Sequence, residues 1–163
     1  MNYISVIISL MLLSLSACAT SQTPEKTISN DAMGDISVVT LKQDYPGFFH
    51  HDDFQEQQTV IDKLANIQVP FTITTYFGTW CHDSKREVPR LLQLLEKANN
   101  HNISHTLIAL DLSKTEPDGR AKLNGITNTP TFVVIKDGQE IGRIKEKPEA
   151  TLGQDILAIL ESQ

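Results

Sequence analysis

The residues best suited to chemistry lie in Gly78-Thr79-Trp80-Cys81-His82-Asp83-Ser84-Lys85-Arg86. An apolar, β-branched run ends at Phe77, Gly78 and Thr79 turn the chain, and a helical pattern begins near Cys81. A sulfur at such a strand-to-helix junction meets free N–H groups and the positive end of a helix, which favour an anion. The thiolate is that anion, and it is the nucleophilic form of cysteine. Ser84, three residues on, shares the helix face of Cys81, and its hydroxyl could donate to the thiolate. It cannot close a disulfide. Lys85 and Arg86 would favour the thiolate, Asp83 would oppose it, and His82 would act according to its charge. Trp80 is either a core residue or an apolar contact beside the sulfur. Cys81 itself reads as a reactive thiol or as a small buried side chain.

This stretch resembles the active-site segment of the thioredoxin superfamily, which reads W-C-x-x-C in the redox enzymes. Three further marks agree. Pro89 lies eight residues after Cys81, where the family carries a helix-kinking proline. Thr129-Pro130 resembles the cis-proline dipeptide opposite the active site. Phe132 to Lys136, Asp137-Gly138 and Glu140 to Ile144 resemble the closing hairpin. The resemblance implies an α/β, thioredoxin-like sandwich with a central mixed β-sheet flanked by helices. It implies Cys81 and Ser84 at the catalytic position, and Trp80, His82, Thr129 and Pro130 at the substrate. The family's second cysteine is Ser84 here, and its buried aspartate six residues before the first cysteine is Thr75. Two functions follow. One is single-cysteine thiol–disulfide exchange, of reductase or isomerase type, resolved by an external thiol. The other is a non-catalytic binding or assembly module on the same fold. The partners implied are a disulfide-bearing protein or small thiol and an external thiol reductant, with no cofactor.

The elements that must position these residues follow in order. Ile36 to Leu41 reads as a first strand, and Tyr45 to Phe49 as a turn with exposed or half-buried aromatics. His50-His51-Asp52-Asp53 carries ligand types, but adjacent side chains rarely converge on one ion. No metal site is expected, and Asp52 or Asp53 is expected to cap the next helix. Phe54, Val60, Ile61 and Leu64 give that helix its spacing. Phe71 to Phe77 reads as a central strand, and Val88, Leu91, Leu92, Leu94 and Leu95 as the inward stripe of the helix after Cys81. Ile103 to Leu110 reads as a strand and Ala121 to Leu123 as a helical turn. Asp137-Gly138 is a hairpin turn, and Leu152 to Leu160 a terminal amphipathic helix. The five histidines form no recognisable order with Cys81 for a Cys–His hydrolase.

The chain has 163 residues and a formal net charge of −6, with no basic block, so nucleic acid is not an expected partner. Its two cysteines, Cys18 and Cys81, provide no disulfide framework and no cysteine zinc cluster. Ile4 to Leu15 is apolar apart from three serines and reads as the core of an export signal. Leu15-Ser16-Ala17-Cys18 resembles the bacterial lipobox, which implies lipidation of Cys18. Ala19 follows in place of aspartate, which implies the periplasmic face of the outer membrane. A plain secretory cleavage near Ala17 or Ala19 is the alternative. The expected division is a signal over 1–17, a lipidated and polar tether over 18–34, and a thioredoxin-like domain over 35–163.

Overall fold

The computed structural model describes residues 31–49 and 53–162. Its centre is β2 (Phe71–Phe77), seven residues rich in β-branched and aromatic side chains. It pairs in parallel with β3 (Ile103–Ala109) and antiparallel with β4 (Thr131–Lys136). The sheet is therefore mixed, as expected, with the order β1-β3-β2-β4-β5. β5 (Gln139–Lys145) returns from β4 through Asp137-Gly138, both at positive φ (53° and 77°), the turn that suits a tight hairpin.

Alternation along the strands sends apolar side chains to both faces. Phe71, Ile73 and Phe77 of β2 join a large core with α2 (Gln58–Ala65), α3 (His82–Ala98) and α5 (Leu152–Glu161). Tyr76, Ile108, Leu110 and Val133 face the other way, onto Ala121 of the short α4 (Arg120–Leu123) and onto Ile126. Val88, Leu91 and Leu94 of α3 are buried, which matches the stripe read from the sequence. Pro89 lies inside this helix, and Asn99 ends it in the left-handed region at φ 44°.

Five local expectations are corrected. Ile36 to Leu41 is not a strand: β1 is only Gly34–Asp35, and α1 spans Val38–Asp44. Ser37 caps that helix by accepting the Thr40 N–H at 3.0 Å, and Val38, Leu41 and Tyr45 recur at helical spacing. A serine between β-branched residues was thus a helix start rather than a strand position. Phe48, expected at or near the surface, is 2% exposed, its ring 5.3 Å from that of Phe77. Asp53 is not a cap, since α2 starts behind Gln57 with no side-chain cap; His50, His51 and Asp52 lie outside the described residues. Phe54 precedes the helix and lies under the Arg90 guanidinium at 4.4 Å. Finally, the folded unit begins before residue 35, because Ala32 is 5% exposed within the core and Gly34 belongs to the sheet.

Candidate functional site

β2 delivers the chain to the site. After Phe77, the Cys81 N–H donates to the Gly78 carbonyl at 3.0 Å, which closes the turn. Cys81 is the N-cap of α3 and keeps extended backbone (φ −81°, ψ 125°), while its carbonyl accepts the first helical N–H, from Lys85. The sulfur is partly exposed. Its S–H donates to the Thr129 carbonyl at 3.1 Å, and the Thr129–Pro130 bond is cis. The thiol and the cis-proline loop, 48 positions apart in sequence, therefore share one edge. The loop is held by the Thr131 hydroxyl donating to the Asn128 carbonyl (2.8 Å) and by the Glu146 N–H donating to the Pro130 carbonyl (2.7 Å).

The other candidates are placed as follows. Trp80 is half-buried, and its Nε1–H donates to the Leu110 carbonyl at 2.9 Å. Its indole lies over Gly78, where an added Cβ would stand 2.5 Å from Cε2. Ser84 is fully buried and accepts the Gly78 N–H at 3.3 Å, so its hydroxyl braces the turn beneath the thiol. No hydrogen bond joins it to Cys81. The His82 side chain is 90% exposed, with Nδ1 3.6 Å from Asp83. Thr129 and Pro130 are buried, leaving backbone as what the loop offers beside the sulfur. Cys18 lies outside the described residues.

Local charge is largely internally matched. Arg86, credited above with favouring a thiolate, reaches Asp83 at 2.8 Å and Glu87 at 2.6 Å. Its hydrogen bond to Glu87 is the main reason its own proton is held more tightly than usual. Thr75 is fully buried, and its Oγ1 lies 3.1 Å from Nε2 of His105 on β3. Burial lowers His105 from 6.5 to about 4, so this histidine is neutral near pH 7.

Sequence reading missed one participant, Thr79. It is 6% exposed, accepts the Ala32 N–H at 3.2 Å and donates to the Asp31 carboxylate at 3.0 Å. Nothing local in the sequence signals bonds that span 47 and 48 positions.

No family model matches the chain. Over 99 residues it is 32% identical to mitochondrial thioredoxin-3 of Saccharomyces cerevisiae, covering 56% of this chain and 73% of that protein. It is 27% identical over 103 residues to thioredoxin H9 of Arabidopsis thaliana, covering 62% and 69% respectively. Its fold is similar to the crystal structure of a protein of unknown function from Pseudomonas aeruginosa (TM-score 0.53, 18% identity, 66% and 75% covered). A mixed five-stranded sheet, a cysteine opening the helix after its central strand, a cis-proline at that sulfur and the identity to a yeast thioredoxin agree: the chain belongs to the thioredoxin family.

Proposed function

We propose that this protein carries out thiol–disulfide exchange with Cys81 as its single nucleophile, on a disulfide-bearing protein or a small thiol compound. The observation that carries the reading is the partly exposed Cys81 sulfur at the start of α3, 3.1 Å from the carbonyl before cis-Pro130. The thioredoxin relatives support the same reaction class.

In the first step the Cys81 thiolate attacks one sulfur of a substrate disulfide. A Cys81–substrate S–S bond forms, the substrate S–S bond breaks, and the departing sulfur leaves as a thiolate. Position 84 offers a hydroxyl, so the helix that carries Cys81 supplies no second thiol to resolve the product. An external thiolate then attacks the substrate sulfur of the mixed disulfide and expels the Cys81 thiolate, leaving the substrate joined to the external thiol. A second external thiol reduces that bond, and two external thiols end as one disulfide. Where the substrate's own second thiolate resolves the intermediate with a different pairing, the disulfide is isomerised without net redox change.

The test is trapping of a radiolabelled or mass-tagged peptide disulfide. Wild type accumulates a mixed disulfide that glutathione releases. Cys81→Ser is expected to lose both trapping and turnover while keeping its fold. Ser84→Cys is expected to gain an internal disulfide and to release substrate without an external thiol. Exchange by wild type no faster than by Cys81→Ser would reject the reaction and leave the binding-module reading.

We also propose that Cys18 is lipidated and holds the protein at the periplasmic face of the outer membrane. On this view residues 1–17 are a signal and the polar stretch after Cys18 is a tether. The apolar segment and Leu15-Ser16-Ala17-Cys18 support it. Intact mass and membrane partition in a bacterial host check it; a soluble product that retains Met1 would overturn it.

A further inference from the structure

Cys81 stands beyond the C-terminal end of β2, and a second feature lies where that strand begins. The chain leaves α2 and enters β2 through Asn66-Ile67-Gln68-Val69-Pro70. Three bonds fix this entry. The Asn100 side-chain amide donates to the Leu64 and Ile67 carbonyls, both at 2.8 Å, and the Asn102 amide donates to the same Ile67 carbonyl at 3.0 Å. The Phe71 N–H then donates to the Asn102 carbonyl at 3.0 Å, and the Phe71 side chain is buried. Between this segment, α5 and the end of β4 lies a cleft of about 410 Å³, a size in the range of small-molecule sites.

The cleft is apolar along its length and cationic at two points. Ile67, Val69 and Phe71 line it from the segment entering β2, and Leu157 and Leu160 from α5. Val69 is 48% exposed, and Ile67, Leu157 and Leu160 are only half-buried, so the apolar lining is open to a ligand. Lys63 of α2, Lys136 at the end of β4 and Glu161 at the end of α5 supply its charges. Lys63 has a carboxylate partner, Glu161, at 3.9 Å. Lys136 is half-buried and has no ion pair or side-chain hydrogen bond among the described residues. Two ammonium groups thus face one carboxylate, on a chain whose formal net charge is −6.

We propose that this cleft binds a single-chain apolar carboxylate of the fatty-acid class, its chain on the five apolar side chains and its carboxylate at Lys136. The charge decides for an anion, because Lys136 is the cation that the cleft leaves unmatched. The lining decides for an apolar body, because a small hydrophilic anion gains nothing from Ile67, Val69, Phe71, Leu157 and Leu160. The length of β2 separates this site from the thiol, about 20 Å at roughly 3.3 Å per residue. The binding is therefore independent of the exchange reading.

The probes are monomeric decanoate, decanol, acetate and decyltrimethylammonium, titrated calorimetrically into the full chain at pH 7. Decanoate is expected to bind one to one, at least ~10-fold more tightly than acetate, which lacks the chain, or decyltrimethylammonium, which reverses the charge. Val69→Asp, at an exposed position, should weaken decanoate about tenfold or more. Lys136→Gln should weaken decanoate about tenfold and leave decanol within about twofold, a split that loss of packing would not produce. Lys136→Arg should retain decanoate binding. Trp80, the chain's one tryptophan, lies at the thiol end and should keep its emission as decanoate binds. Decanoate binding no tighter than that of decyltrimethylammonium, or unchanged in folded Val69→Asp and Lys136→Gln, overturns the proposal. A change in Trp80 emission that survives Val69→Asp would place the ligand at the thiol end and overturn it as well.

Discussion

At the scale of single residues, the site depends on what its neighbours leave free. Gly78 is required because the Trp80 indole occupies the place of its missing Cβ. Gly78→Ala should therefore displace the indole from the Leu110 carbonyl, at a cost of about 1–3 kcal/mol in unfolding free energy. Tryptophan emission should shift to the red as the ring gains water; a variant with wild-type emission and stability would contradict this account. The same turn shows how far the sequence was legible. Cys81, the proline partner and the strand-to-helix change were readable because each depends on local residue type. Ser84 was readable as a neighbour on the helix face, but not its bond to the Gly78 N–H. Thr79 was not readable at all, since a threonine in a turn shows nothing of a partner 47 positions earlier.

At the scale of elements, segments whose apolar pattern fits one period were readable, and the one whose residues fit both strand and helix was not. β2, α3 and α5 carry enough apolar positions to fix their type, and all three stand where the pattern put them. The seven residues of α1 do not: Ser37-Val38-Val39-Thr40 fits strand propensity, and only the cap bond and the burial of Leu41 decide for helix. Helix ends also depend on distant groups. Thr151 caps α5 from within through the Gln154 N–H, while Glu56, 97 positions before Gly153, accepts that residue's N–H at 3.2 Å. Its other oxygen accepts the Gln57 N–H at 3.0 Å, so one buried carboxylate joins the starts of α2 and α5. Glu56→Ala should leave both N–H groups without this partner and lower stability by roughly 2 kcal/mol. Chemical denaturation checks the loss, and amide exchange should locate its onset at the first turn of α5.

At the scale of the whole molecule, the sheet carries a partly buried titratable group on β3. His105 lies within β3, with Thr75 of β2 as its polar neighbour, and burial holds its pKa at about 4, against 6.5 when solvated. The unfolded chain therefore binds this proton more readily than the folded one. The stabilisation tied to the neutral ring is complete above pH 6.5 and is lost progressively as pH falls toward 4, below which both states are protonated and the loss stops growing. At about 1.4 kcal/mol per pKa unit, the full loss is roughly 3 kcal/mol, a large share of the stability of a domain this size. Urea unfolding at pH 7 and at pH 4.5 should differ by most of that amount, beyond any change due to carboxylates. His105→Gln removes the titration while retaining a polar group near Thr75, and should flatten this part of the profile. If wild type and His105→Gln lose equal stability between the two pH values, His105 is not the source of the acid sensitivity. Cys81 trapping at pH 7 should be little altered in His105→Gln, because the histidine reaches the site only through the fold that carries it.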